Sequence, residues 1–247
     1  MPPPPSRASD PGRLVDLMWN PSTRVGRSGA TVEAIVDAAL AVADSAGLDA
    51  VTMRAVAERA GVGAMTVYGY VPGRAELVEL MVDRVAGQTY QGHPAPHEAG
   101  SWEDALRYMA QRNWEHLLDH AWVVEAPQGR PILGPGVCRT YEAELRPLDG
   151  IGLTDEQMDL TVAAVRAQVL QAAQWQAGLA RARAESRLSD QQWWTLYGPR
   201  LAMAMAGEEL PVSSRVGQSV ASAGDPEATW RFMVDHLISA LRQHTHQ

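Results

Sequence analysis

The sequence has no lysine, one cysteine, one phenylalanine and no apolar run long enough to span a bilayer. Its 21 basic side chains are therefore all arginine, which we attribute to GC-rich coding rather than to function. Cys138 is the single cysteine, so a disulfide within the chain is excluded, as is usual for cytoplasmic proteins. The opening residues MPPPPSR lack the apolar segment of a signal peptide. We therefore expect a cytoplasmic protein that does not associate with membranes.

Charge and length are compatible with a regulator that binds DNA at one surface. The 247 residues carry a formal net charge of -8 at pH 7, which argues against a nonspecific nucleic-acid coat. A regulator needs only one locally basic surface, so the acidic balance does not exclude specific DNA binding. A chain of this length can bury a substantial core in one domain or two.

Almost the whole chain is predicted to be helical, because the alternation of β-branched residues between turns is missing. Outside the segments treated below, the pattern predicts helices over 74–89, 102–118, 137–148 and 190–206, the last broken at Gly198-Pro199, and a loop over 207–224. Residues 1–30 are rich in Pro, Ser and Gly, so we expect a disordered arm there, although LVDLMW at 14–19 could dock on the fold. The predicted fold class is all-α.

Residues 52–74, TMRAVAERAGVGAMTVYGYVPGR, have the pattern of two short helices joined by a glycine turn. Four residues of the first helix recur at helical spacing and can share one buried face: Met53, Val56, Ala57 and Ala60. Gly61 supplies the sharp turn. The second helix, residues 63–70, is the one that we expect to face DNA. A preceding helix, capped by Thr31 and ended by Gly47, would support the pair.

This stretch resembles the tetracycline-repressor (TetR) family of transcriptional regulators. The resemblance rests on residues 31–83, where the spacing from first helix to fourth agrees without a gap. The rest of the chain agrees more loosely, through SWEDAL at 101–106, GRPILGPG at 129–136 and GIGLT at 150–154. Family membership implies a dimeric DNA-binding regulator under the control of a ligand.

The resemblance implies a three-helix helix-turn-helix DNA-binding domain followed by a helical domain for ligand binding and dimerisation. We divide the chain into the arm 1–30, the DNA-binding domain 31–75 and the second domain 76–247. The expected partners are double-stranded operator DNA, a small-molecule effector and a second copy of the chain, with release of a repressor by the effector. Two alternatives stay open: a DNA-binding activator or architectural factor without a ligand, and an all-α enzyme, which ranks last because no cluster of acid, base and nucleophile is evident.

Five side chains on the second helix can contact DNA. The hydroxyls of Tyr68 and Tyr70 can donate hydrogen bonds to phosphates. Thr66 can bond to a base edge, and Ala64 and Met65 can contact a thymine methyl group. The helix is poor in hydrogen-bonding side chains, so part of the recognition must come from residues outside it.

Arginines around the second helix are the other candidates for DNA contact. In the family pattern Tyr68 and Arg74 match phosphate-contacting positions, the latter usually lysine, and arginine keeps the charge. Arg54 is a second basic residue at the expected surface. Arg24 and Arg27 precede the first helix and could reach a narrow minor groove, unless they belong to a solvated tail without function.

Two later helices carry apolar stripes that suit a dimer interface. The last helix begins at Asp225-Pro226, and its stripe is Trp230, Met233, Leu237 and Leu241. A long helix from Thr154 to about Leu188 has the stripe Leu160, Ala164, Ala167, Leu170 and Gln174. Periodicity alone allows both stripes to fill the core of one chain instead. The family resemblance favours a four-helix interface between two chains and hence a palindromic operator.

The second half carries bulky, partly polar aromatics that suit a pocket for an aromatic or polycyclic molecule. The candidate ligand-binding residues are Met109, Asn113, Trp114, Tyr141, Glu144, Val162, Arg166 and Trp175. Any of the aromatic residues could equally belong to the core. Arg166 interrupts an apolar surface and needs a partner, which Glu144 or an anionic or carbonyl-bearing ligand could supply, unless its head reaches water.

No pattern in the sequence predicts a metal centre, a cofactor or a catalytic site. His116 and His120 have helical i, i+4 spacing without an HExxH pattern, so we interpret them as surface or capping residues. Tetracycline-binding relatives hold the metal-bound drug with a histidine at a position where this chain has Ala126-Pro127. Tetracycline with magnesium is therefore not the expected ligand.

Overall fold

The computed structural model describes residues 11–25, 29–127, 129–220 and 224–245 and confirms the all-α class. Its helices are α1 Pro11–Trp19, α2 Val32–Ala46, α3 Met53–Ala60, α4 Ala64–Tyr70, α5 Arg74–Ala86, α6 Trp102–Asp119, α7 Pro135–Leu145, α8 Asp155–Ser186, α9 Asp190–Ala204, α10 Pro211–Ser219 and α11 Pro226–Thr245. Short 3-10 turns lie at Leu48–Ala50, Pro96–Glu98, Ala121–Glu125 and Arg146–Leu148. Two-residue strands β1, Arg24–Val25, and β2, Ala30–Thr31, pair antiparallel just before α2.

Polar caps fix where several helices begin. The Thr31 hydroxyl accepts the Ala34 N–H at 3.1 Å and starts α2, and Thr52 caps α3 in the same way. Thr154 and Gln157 form the predicted capping box at the start of α8. The caps at Thr31 and Thr154 were predicted, because a cap is set by residues close in sequence, and both are observed.

The first of two buried cores combines α1 to α5. It contains Ile35, Val56, Val67, Leu77 and Met81, each fully buried. The 3-10 turn after α6 contributes Trp122 to the same core, and Ala126, which follows the turn, belongs to it as well. α5 therefore packs with the helix-turn-helix elements, although the predicted domain boundary lies at 75–76.

The second core is built by α6, α8 and α11. Its largest buried side chains on α11 are Trp230, Val234 and Ile238, which repeat every four residues. Of the predicted stripe, Trp230 is buried in this core, Leu237 and Leu241 pack against it partly buried, and Met233 is 40% exposed. Four-residue spacing selects a face rotated away from Met233.

The arm predicted to be disordered over 1–30 contains a helix. Residues 11–19 form α1, and Leu17 and Met18 are buried in the first core. Residues 1–10 lie outside the described part of the chain, as do 26–28. The apolar side chains of LVDLMW at one face outweigh the Pro- and Gly-rich flanks, so the docking alternative is the one observed.

Two other expectations fail between α8 and α11. α9 continues through Pro199, with no break at Gly198. Proline has no N–H to donate to the carbonyl of Thr195, four residues earlier. Thr195 is exposed, so water can bond to this carbonyl instead. The predicted loop over 207–224 contains α10, which starts with Pro211 at its first position. Within the described residues, no helix combines the length and apolarity needed to cross a membrane.

α5 and α7 approach each other closely because of two glycines. The buried Asp83 carboxylate on α5 accepts the N–H of Val137 at 2.9 Å, in the first turn of α7. A Cβ atom on Gly136 would overlap the Asp83 carbonyl oxygen, and one on Gly134 would overlap the Asp83 carboxylate. The GRPILGPG segment therefore holds α7 against α5 only with glycine at these positions.

We expect Gly136→Ala to destabilise the protein by about 1–3 kcal/mol, the usual cost of overpacking a tight contact. Urea unfolding followed by circular dichroism measures the change. Gly129→Ala is the control, because a Cβ atom at Gly129 in the same segment meets nothing within 4 Å. Equal midpoints for the two variants would show that α7 does not need this close approach.

Candidate functional site

The turn between α3 and α4 has the geometry of a helix-turn-helix. Gly61 adopts a left-handed φ of 68°, which a side chain would strain. Its N–H donates to the carbonyls of Ala57 and Glu58, and the Val62 N–H donates to Ala57 at 2.9 Å. These bonds satisfy the last carbonyls of α3 and redirect the chain into α4. The predicted glycine turn is confirmed.

α4 buries one face and presents the other to solvent. Val67, and Val71 just after the helix, are fully buried in the first core. On the opposite face Met65 is 82% exposed and Tyr68 47% exposed. Thr66 is partly buried near the start of the helix. This face of α4 therefore leaves Met65 and Tyr68 free to contact a partner.

The other candidate DNA-binding residues surround this face in different ways. Arg54 on α3 and Arg24 on β1 are exposed. Ala64 and Tyr70 are partly buried and pack against the first core. Arg27 lies outside the described residues.

Arg74, at the start of α5, holds the backbone before α3. Its Nε donates to the Val51 carbonyl at 2.9 Å and its Nη2 to the Leu48 carbonyl at 2.7 Å. Asp49 lies 4.0 Å away. The side chain remains 44% exposed. Its charge therefore stays near the surface while two of its donors are used within the fold.

Arg13 on α1 is a residue of the site that the sequence did not suggest. Its Nη2 donates to the Gly69 carbonyl at 2.7 Å and to the Tyr70 carbonyl at 3.2 Å, at the end of α4. A guanidinium at this position donates to terminal carbonyls that have no partner within the helix, and its positive charge is stabilised by the negative end of the helix dipole. The amphipathic GRLVDLMW segment was the available signal, but its partner lies 56 residues away.

The second candidate site is a polar cluster around Glu144 on α7. Glu144 is fully buried, and its Oε2 accepts Arg166 Nε at 2.6 Å. Its Oε1 accepts Asn113 Nδ2 and Tyr90 Oη, both at 2.9 Å. Of the options left open for Arg166, the pair with Glu144 is the one observed. Three donors from three segments compensate one buried carboxylate.

Tyr90 was not anticipated in this cluster. Burial first, and then the Glu144 carboxylate, raise the pKa of Tyr90 well above its usual range. The phenol therefore stays protonated and acts as a donor. Residue 90 lies just after α5, and the 54 residues that separate it from Glu144 leave no local signal of the contact.

Of the remaining predicted ligand-binding residues, some lie near the Glu144 cluster and Trp175 does not. Tyr141 donates to Asp159 at 2.6 Å, and the Arg166 guanidinium lies 5.8 Å from the Tyr141 ring centre. Three further residues belong to the second core beside the cluster: Met109, Trp114 and Val162. Trp175 lies elsewhere on α8, 36% exposed, against the backbone of Gly224.

His116 and His120 connect the second half to the first. His116 Nε2 lies 2.7 Å from the Val85 carbonyl, and burial lowers the pKa of this imidazole. His120 Nδ1 lies 2.9 Å from Asp44 on α2, and Trp122 donates to the same carboxylate oxygen at 2.8 Å. The pair thus holds α6 against α2 and α5.

Two family models match the chain. The model described as bacterial regulatory proteins, tetR family, matches residues 35–81, which include α3 and α4. The model described as tetracyclin repressor-like, C-terminal domain, matches residues 93–244, more than half of the chain.

Similar proteins and structures agree with these models. HTH-type transcriptional repressor DrrR1 of Streptomyces coeruleorubidus is 33% identical over 216 residues, 86% of this chain and 79% of that repressor. Apo ActR from Streptomyces coelicolor superimposes with a TM-score of 0.64 at 22% identity, over 87% of this chain and 95% of ActR. ActR in complex with actinorhodin superimposes with a TM-score of 0.61 at 25% identity, over 88% of this chain and 99% of ActR. This chain is therefore a member of the TetR family, a DNA-binding transcriptional regulator rather than an enzyme.

Proposed function

We propose that this protein is a cytoplasmic, dimeric repressor that binds a palindromic operator through α4 and leaves it when a small molecule binds the second half. The exposed face of α4 carries the proposal, because no packing within the described residues covers Met65 and Tyr68. In a dimer the two α4 helices would lie about 34–36 Å apart, one turn of DNA, or a multiple of that distance.

The five candidate side chains of α4 divide into two roles in this proposal. Tyr68 donates to a phosphate, and Tyr70, being partly buried, reaches only the backbone of the DNA. Met65, Thr66 and Ala64 meet base edges and thymine methyl groups. The flanking arginines supply the charge that attracts phosphates, namely Arg24, Arg54 and Arg74, with Arg27 assigned by its position in the sequence alone.

The ligand site is proposed at the Glu144 cluster. ActR, a relative with the same fold, is known in complex with actinorhodin. A carbonyl-bearing aromatic ligand would accept a hydrogen bond from the partly exposed guanidinium of Arg166, while Arg166 Nε, Asn113 and Tyr90 continue to donate to the buried Glu144. Release follows if the ligand prefers the conformation in which the two α4 helices no longer fit the operator.

The dimer interface is proposed on α8, α9 and α11. Within the described residues, α9 and α10 bury no side chain. Large apolar side chains are exposed along these helices: Leu160, Trp193, Trp194, Leu196, Tyr197, Leu201, Phe232 and Met233. Monomers seldom expose so large an apolar surface, and a second copy would cover it.

Tyr68→Phe should weaken binding about two- to tenfold, the value of one hydrogen bond. The loss should be equal on operator and unrelated DNA, because a phosphate contact carries no sequence information. An operator selected from random duplexes at fixed salt provides the probe for fluorescence anisotropy. The control is Tyr108→Phe on α6, because its hydroxyl also makes one hydrogen bond, to the Pro94 carbonyl at 2.8 Å, and α6 lies outside both α4 and the proposed dimer interface. A loss confined to the operator would contradict the phosphate role.

Glu144→Gln should destabilise the fold by about 1–3 kcal/mol, because Arg166 loses a charged acceptor in a buried site. Urea unfolding measures the change. Glu142→Gln, on the same helix, should shift stability by less than about 0.5 kcal/mol, since the Glu142 side chain is 63% exposed and its pair with Arg146 lies at the surface. Similar effects of both variants would contradict a special role for the buried carboxylate.

Leu196→Asp should weaken the dimer at least about tenfold, because a carboxylate would enter an apolar interface. Sedimentation velocity over a concentration series gives the dissociation constant. Leu133→Asp is the control, as Leu133 is 60% exposed and Leu196 57%, but Leu133 lies outside α8 to α11. An unchanged dimer in Leu196→Asp would exclude α9 from the interface.

A further inference from the structure

A cavity of about 530 Å³ lies where the DNA-binding elements meet the second half. Its walls come from α1, α2, α5 and the first turns of α7. Pockets for small organic ligands have volumes of about 300–1,000 Å³, so this one can hold two or three fused rings. It is separate from the Glu144 cluster, since none of the residues of that cluster line it.

The floor of the cavity is apolar. Met18 on α1, Val36 on α2 and Leu80 on α5 contribute to it, and each is at most 5% exposed. An aromatic ring system would rest on these side chains and would itself lose contact with water there. The floor therefore fits the ring body of a ligand rather than a sugar or a phosphate.

The charged groups around the cavity favour a cation. Arg84 pairs with two carboxylates at once, Glu33 at 2.7 Å and Asp37 at 3.1 Å. Asp83 lines the same wall and is buried, and Arg139 lies at the exposed rim near it. Among the residues that line the cavity, Glu33 and Asp83 balance Arg84 and Arg139. Asp37 does not line it, but it contacts Arg84 from outside and gives the group one more carboxylate than guanidinium.

Trp19 forms one side of the opening. Its indole N–H donates to the Leu133 carbonyl at 2.9 Å, while the ring is 49% exposed. An indole face attracts a cation through its quadrupole, more strongly than any other side-chain ring. The opening thus combines an aromatic face with nearby carboxylates.

We propose that this junction cavity is a second effector site, which takes an amphipathic organic cation with a fused aromatic body and a protonated amine. The ring body lies on Met18, Val36 and Leu80, and the ammonium group lies near Glu33 and Trp19. The site acts directly on DNA binding, because α1 covers the cavity and its Arg13 holds the end of α4. This consequence for DNA binding rests on the proposed function.

The test is calorimetric titration of the full-length protein, without DNA, with three probes that share one ring system. These are 1-naphthylmethylammonium, 1-naphthylmethanol and 1-naphthylacetate. The ammonium probe should bind tightest and the carboxylate weakest. Equal affinity for all three, or a preference for the carboxylate, would overturn the proposal. If none of the probes binds while the protein still binds its operator, the second effector site is rejected and the proposed regulator function is not.

Two variants locate the binding. Glu33→Gln should weaken binding of the ammonium probe roughly two- to fivefold, the range of a partly exposed ion pair. Binding of the alcohol probe should not change. Glu227→Gln is the matched control: both glutamates pair with arginine at 2.7 Å, and their side chains are 43% and 46% exposed. Val36→Phe, which fills the floor, should abolish binding of all three probes. Equal losses in the two glutamine variants would overturn the assignment.

Discussion

The contact between Asp83 and the first turn of α7 joins the two halves of this protein. Its carboxylate accepts an N–H that α7 cannot satisfy within its own first turn. Burial raises the pKa of Asp83, since the charge has little access to water. Gly134 and Gly136 allow the approach, because any side chain there would overlap α5. A displacement of α7 must therefore displace α5, whose other face packs against the DNA-binding helices.

Further links reach the DNA-binding elements from other directions. His116 contacts the Val85 carbonyl, and Asp44 on α2 contacts both His120 and Trp122. α1 joins the end of α4 to the Leu133 carbonyl through Arg13 and Trp19. Because these bonds reach different helices, the halves cannot rotate freely about α5. A switch between two states must exchange one set of contacts for another.

Features set by neighbouring residues were predictable from the sequence, and those set by distant contacts were not. The turn at Gly61 and the cap at Thr154 depend on local hydrogen bonds, and both agree with expectation. The pairing of Arg166 with Glu144 was one of several expected options, because a charge on an apolar surface demands a partner. Tyr90 and Arg13 gave no signal, since their partners lie more than 50 residues away.

In the proposed DNA-binding surface, one set of residues attracts the phosphates and another distinguishes the bases. α4 itself carries no charged residue, so Met65 and Thr66 would distinguish bases by contacts that salt barely weakens. The positive charge comes from arginines around the helix. These include Arg13, which donates to neutral carbonyls, and Arg74, which also does so and lies 4.0 Å from the exposed Asp49. Phosphate attraction by these groups falls off within a Debye length, about 10 Å at 0.1 M salt. An acidic chain can therefore bind DNA, because only the arginines close to α4 lie within reach of the phosphates.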